Sequence, residues 1–140
     1  MENNIKKYID ANIFIYPILY DDEKAKFCEK ILLDLLNGKI NGFTSTLTWD
    51  EVVYIIKKDR GKDIAVKEGT KFLKFPNLFF INPTEKIITK AQEIFEKCNI
   101  KPRDAIHVAS ALANDIREII SDDSDFDSVK EIKRIKPENF

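Results

Sequence analysis

The sequence predicts an α/β protein with a parallel sheet covered by helices on both faces. Three observations carry that expectation. Short apolar runs of strand length recur along the chain, segments of helical periodicity lie between them, and most connections are short. In such sheets ligands bind beyond the carboxyl ends of the strands. Acids at strand ends are therefore the residues to follow.

The first strand reads as Ile5 to Ile9 and ends at Asp10. Pro17 is expected to limit regular structure after it. Asp21 or Asp22 can cap a helix running to about Asn37, with Phe27/Cys28, Ile31/Leu32 and Leu35/Leu36 as its apolar stripe. Asn37-Gly38 is a good stop. Ile40 to Thr44 is a short strand candidate. Thr48-Trp49-Asp50-Glu51 then matches a capping box ahead of Val52 to Ile56. Lys57 to Asp63 reads as a polar break, followed by a helix to about Lys74. Leu78 to Ile81 is a compact apolar strand ended by Asn82-Pro83. Thr84 caps a helix with Ile87/Ile88, Ala91, Ile94/Phe95 and Cys98 on one face. Pro102 suits the first turn of the next helix, which carries Ala105, Ile106, Ala109 and Leu112. Glu118 to Ser121 is a strand entering the acidic loop Asp122-Asp123-Ser124-Asp125. Lys130 to Lys136 supplies a last edge strand.

The bulk properties narrow the class. With 140 residues and 44% hydrophobic content, one domain spanning residues 1–140 is expected, with a sizeable core. Charged residues make up 34% but nearly cancel, to a net charge of -1. A strongly basic nucleic-acid binder is not indicated. No apolar run approaches the roughly 20 residues of a membrane helix. Met1 to Asp10 lacks a secretory signal pattern, so a cytoplasmic location is expected. Cys28 and Cys98 lie far apart on apolar stripes and read as buried free thiols.

Each acid has a plain structural explanation. Asp10 suits the start of a turn, and Glu51 the fourth position of a capping box. Asp104 suits the first turn of its helix, where negative charge complements the dipole. Asp122 to Asp127 suits a solvated loop. Each explanation covers one acid, and none explains why strand ends and helix starts of one α/β unit all carry acids. A hard divalent cation such as Mg²⁺ or Mn²⁺ explains them together, because it takes several carboxylates and relieves their repulsion. With no good nucleophile–base pair in the sequence, metal-assisted hydrolysis is the simplest chemistry that remains.

Four stretches together resemble the successive motifs of PIN-domain ribonucleases. They are Tyr8-Ile9-Asp10-Ala11-Asn12-Ile13, Thr46-Leu47-Thr48-Trp49-Asp50-Glu51-Val52-Val53, Lys101-Pro102-Arg103-Asp104-Ala105-Ile106-His107-Val108-Ala109-Ser110-Ala111-Leu112 and Ile120-Ser121-Asp122-Asp123-Ser124-Asp125-Phe126. VapC-type toxins of VapBC toxin–antitoxin systems are the commonest small members. The resemblance implies a three-layer α/β/α sandwich around a parallel four- or five-stranded sheet. It implies an endoribonuclease that depends on Mg²⁺ or Mn²⁺, acts on RNA, forms a homodimer and meets an antitoxin protein. Asp10, Glu51, Asp104 and Asp123 would form the acidic centre. Asp10, Asp104 and Asp123, with Asp125 as a secondary acid, would hold metal. Asn12 and Ser121 would support the site through hydrogen bonds, while Asp50 is offset by one position from Glu51. His107, the only histidine, is expected to be packed or to support the site from behind.

Rival readings fit less well. A haloacid-dehalogenase-type phosphatase wants an acid where Asn12 stands. A receiver-type signalling domain wants an acidic pair before its phospho-acceptor and a late lysine. A housekeeping PIN nuclease in RNA processing, or a silent PIN-like binding module, remains as the alternative.

Overall fold

The computed structural model describes residues 6–140. Ile5, the first residue of the expected first strand, lies outside them. Five parallel strands form one sheet: β1 (Lys6–Ile9), β2 (Asn41–Ser45), β3 (Leu78–Ile81), β4 (Glu118–Ile120) and β5 (Lys133–Ile135). Their order is β3-β2-β1-β4-β5. The chain builds outward from β1 to β3, then crosses over and builds outward through β4 to β5. The reversal falls between β1 and β4, where Tyr8 pairs with Ile119 and Ile9 with Ile120. A crevice opens at the carboxyl end of such a reversal.

Among the described residues six α-helices cover the sheet: α1 (Ala11–Leu19), α2 (Glu23–Leu36), α3 (Leu47–Arg60), α4 (Lys62–Leu73), α5 (Glu85–Lys97) and α6 (Pro102–Ala113). Alternation along the strands assigns them to faces. Tyr8 and Ile119 pack with Ile87, Ala91 and Ile94 of α5 and with Ala105, Val108 and Ala109 of α6. Ile9 and Ile120 point the other way. They pack with Ile13 of α1, Cys28 and Ile31 of α2, Val52 and Ile56 of α3, and Ala65 of α4. The result is the expected three-layer sandwich, with five strands. Cys28 is buried and Cys98 partly so, and both are free thiols.

Most helix signals act as expected. Asp22 accepts from Ala25 N at 2.8 Å and starts α2. Gly38 follows with φ 73°, where a side chain would be strained. Thr84 starts α5, and Pro102 stands in the first turn of α6.

Three expectations need correction. Pro17 does not end regular structure, because α1 continues through it to Leu19. Its ring costs the bond that residue 17 would donate to Ile13 O, but the buried face Ala11, Ile13, Phe14 and Ile15 keeps the helix in place. The polar segment Lys57 to Asp63 is not a broad break. Helix α3 runs to Arg60 and α4 begins at Lys62, so Gly61 alone (φ 91°) makes the turn. Finally, Thr48 and Glu51 form no capping box. Helix α3 starts two residues earlier, at Leu47, with Thr46 as its N-cap. Thr48 hydrogen bonds the Thr44 hydroxyl at 2.7 Å, and Glu51 reaches across to α6.

Candidate active site

The end of β1 delivers the first acid. Asp10 caps α1: its Oδ1 accepts from Ala11 N at 2.8 Å. Its Oδ2 accepts from Ser121 Oγ at 2.6 Å and from Asn12 Nδ2 at 3.2 Å. Asn12 also donates to Ser121 Oγ (3.2 Å) and accepts from Asp122 N (3.4 Å). Ser121, just beyond β4, accepts from Asp123 N at 3.0 Å. Asp123 in turn accepts from Asp125 N at 2.9 Å, which folds the loop back on itself. Asp10, Asn12, Ser121 and Asp123 are thus joined across the β1–β4 crevice.

Two further acids arrive on helices. Asp104 lies in the first turn of α6 and is buried at 8% exposure. Glu51 lies on α3, where its Oε2 is 2.6 Å from His107 Nε2. The acids fall into two groups. One oxygen each of Asp10 and Glu51 and a ring nitrogen of His107 lie within 4.8 Å of one another, as do oxygens of Asp104, Asp123 and Asp125. Asp104 feels the charges of Asp10, Asp123 and Glu51, so the groups adjoin.

The electrostatics are those of a crowded anionic site. Burial first, then the charges of Asp10 and Asp123, push the Asp104 carboxyl up to about 7. Burial also raises Asp10, with Glu51 adding to it, while His107 and the Ser121 hydrogen bond act the other way. For His107 burial favours the neutral ring. The hydrogen bond and charge of Glu51, helped by Asp10 and Asp104, outweigh that and raise its pKa. Both ring nitrogens of His107 are engaged, by Tyr8 and by Glu51, so the donors left for a ligand are carboxylate oxygens, which fit a hard divalent cation.

Neighbouring acids turn elsewhere. Asp122 accepts from Lys24 Nζ at 2.8 Å and Tyr16 Oη at 3.3 Å. Asp50 is largely exposed, 3.9 Å from Arg103. Asp127 accepts from Arg134 twice, each at 2.9 Å. Arg134 is committed to Asp127 and Ser121 O, and Arg60 to Asp59 and Leu19 O. Sequence reasoning missed Tyr8, whose hydroxyl lies 2.6 Å from His107 Nδ1. Nothing in the pattern of a buried strand marks one aromatic hydroxyl for such a role. It also passed over Lys101 and Arg103 at the start of α6. Lys101 Nζ lies 3.8 Å from Asp125.

A parallel five-stranded α/β/α sandwich with acids gathered at its β1–β4 crevice defines the class. The PIN domain model matches residues 7–132, and the chain belongs to that family. Among solved structures it is similar to a chain of a toxin–antitoxin complex from Klebsiella pneumoniae, with 20% identity, coverage of 94% of this chain and 97% of that one, and a TM-score of 0.68. VapBC2 from Rickettsia felis, bound to a DNA fragment from its promoter, gives 17% identity, 94% and 98% coverage and a TM-score of 0.72. VapC20 from Mycobacterium tuberculosis, a sarcin–ricin loop cleaving toxin, gives 16% identity, 89% and 95% coverage and a TM-score of 0.73. At these identities the similarity shows a shared fold. No curated protein sequence matches the chain significantly.

Proposed function

We propose that this chain, as a single domain, is a Mg²⁺- or Mn²⁺-dependent endoribonuclease and the toxin of a toxin–antitoxin pair acting in the cytoplasm. One observation carries the reading. Asp10, Glu51, Asp104 and Asp123 come from four separate segments and gather in two adjoining groups at one end of the sheet, with Asp10 and Asp104 buried. Structural acids would be expected to spread over the surface, because crowding them costs stability.

Asp10, Asp104, Asp123 and Asp125 would hold the cation, or two cations, directly or through water. Bound there, it would supply an activated water and offset charge on a phosphodiester. Glu51 orients that water. The water would release a proton to solvent as its oxygen bonds to phosphorus, the P–O3′ bond would break, and the 3′-oxygen would take a proton from solvent. The products are a 5′-phosphate and a 3′-hydroxyl. Asn12 and Ser121 keep Asp10 and Asp123 aligned through the hydrogen bonds described above.

Partners enter the proposal through the surface. A groove between α1, α2, α3 and α4 is lined by Phe14, Leu32, Ile64, Phe72 and Phe75, with Arg60, Glu68 and Lys71 along it. It suits the apolar face of an antitoxin segment, and several similar structures are toxin–antitoxin complexes. Trp49, Tyr54, Val66 and Leu73 are exposed on α3 and α4 and support a homodimer. Among the described residues no helix is long and apolar enough to cross a membrane.

The test is RNA cleavage by purified protein with Mg²⁺ or Mn²⁺, beside Asp10→Asn. The variant should lose at least about a hundredfold in rate, because it removes a charged group from the cluster. Equal activity of the two would refute the assignment. A wild-type protein that neither binds cation nor cleaves RNA would be a silent binding module instead.

A further inference from the structure

A line of short hydrogen bonds runs through the core and ends on Glu51. Ser45 N, on β2, donates to Tyr8 Oη at 3.0 Å. Tyr8 Oη lies 2.6 Å from His107 Nδ1, and His107 Nε2 lies 2.6 Å from Glu51 Oε2. The Tyr8 and His107 rings meet edge to face, 5.6 Å apart, and both residues are fully buried. Four elements contribute: β2, β1, α6 and α3.

We propose that Tyr8 and His107 are positioning residues that fix the Glu51 carboxylate at the acid cluster so that it can orient the reacting water. The proposal rests on the nuclease reading above. Left alone, a glutamate beside Asp10 and Asp104 would be driven outward by like charge and by the freedom of its three side-chain torsions. The bond from His107 opposes both effects. It occupies Oε2 and leaves Oε1 to face a water.

Packing alone does not account for these two residues. Tyr8 lies among Ile81, Ala105, Val108 and Ile119, where an apolar pair would serve the core as well. Polar atoms buried there cost stability unless bonded. Here the hydroxyl and both ring nitrogens are bonded, and such a fully connected network specifies one arrangement. Its outer end is anchored to β2 backbone, so the position of Glu51 is referred to the sheet that also carries Asp10.

The experiment is a double-mutant cycle with a spectroscopic arm, on full-length protein without a histidine tag. Tyr8→Phe should lower kcat for RNA cleavage about tenfold with KM nearly unchanged, the scale for partners that orient a reacting group. In a Glu51→Gln background the same change should have less than about a twofold effect, because the residue it acts through is already altered. His107→Gln, which keeps a donor near Nε2, should retain more activity than His107→Leu at equal stability in urea. An additive cycle in an active enzyme overturns the proposal.

His107 is the only histidine, so its ring signals in a ¹⁵N–¹H spectrum are unambiguous. Both Tyr8→Phe and Glu51→Gln should displace them. Ring signals that ignore Glu51→Gln overturn the proposal whether or not RNA is cleaved. If wild-type protein cleaves no RNA while those signals respond, the nuclease reading fails and the tie to Glu51 stands.

Discussion

Ser121 Oγ donates to Asp10 Oδ2 at 2.6 Å and ties together two strand ends that are 111 residues apart in sequence. The same oxygen accepts from Asp123 N at 3.0 Å. One buried hydroxyl therefore sets the place of two acids. Ser121→Ala should cost about 1–3 kcal/mol, the range for leaving a buried partner unsatisfied. It should also weaken Mn²⁺ binding about tenfold or more. Urea unfolding and titration calorimetry measure the two effects. A variant unchanged in both would mean that Ser121 does not organise the site.

Asp104 sets function against stability. It is buried, and burial and neighbouring acids push its carboxyl up to about 7. At pH 8 the folded protein must carry that charge against the repulsion. Asp104→Asn removes the repulsion and keeps the shape. Without added metal, the variant should melt a few degrees above wild type at pH 8, while RNA cleavage falls by at least about a hundredfold. Thermal unfolding beside an activity assay decides this. A lower melting temperature together with full activity would show that Asp104 is an ordinary helix-start acid.

The same groups set a pH dependence. Asp104 and Asp10 are raised above 3.8, and His107 above 6.5. A raised value means that the folded protein holds its proton more tightly than the unfolded chain does. Stability from each group is fully present below its unfolded value and is lost as pH rises through the folded one. All three therefore act in the same direction. Metal-free protein should lose stability between about pH 4 and pH 7, the window for Asp104. A cation competes with those protons, so Mn²⁺ should raise the melting temperature more at pH 8 than at pH 5.5. Melting curves at the two pH values with and without Mn²⁺ test this. A larger gain at pH 5.5 would contradict it.

How much of this was legible in the sequence differs between elements and contacts. Leu78 to Ile81 is an unbroken apolar run closed by Asn82-Pro83, and the strand has those limits. Asp22, Thr84 and Pro102 are local signals, and the helices begin beside them. Pro17 and the Lys57 to Asp63 segment misled because tertiary packing holds helices that local propensity disfavours. The Thr48 to Glu51 pattern misled for another reason. Both side chains have partners 4 and 56 residues away, Thr44 and His107, and a local motif carries no information about those. In the candidate site, that acids stand at strand ends and helix starts could be read from the sequence, and the structure gathers them at one end of the sheet. Their division into two groups, and Tyr8 behind His107, depend on side-chain directions that spacing does not encode.

Lys101 and Arg103 stand at the rim of the acid cluster, at the start of α6. Lys101 Nζ is 3.8 Å from Asp125, and Arg103 is 3.9 Å from Asp50. Both side chains are more than half exposed. Such loose surface pairs contribute at most about 1 kcal/mol, so an incoming phosphate can replace either carboxylate cheaply. Under the nuclease proposal an anionic cluster would have to admit a polyanion and would need cations at its edge, and these two stand there. Lys101→Ala with Arg103→Ala should raise KM for RNA about tenfold and leave kcat within about twofold, because only ground-state binding is weakened. The slope of log affinity against log salt should flatten by about 0.7 for each phosphate of single-stranded RNA that the variant no longer neutralises. Fluorescence anisotropy with a labelled oligonucleotide across a salt series gives that slope. An unchanged slope, or an effect confined to kcat, would place the phosphate-binding cations elsewhere on the surface.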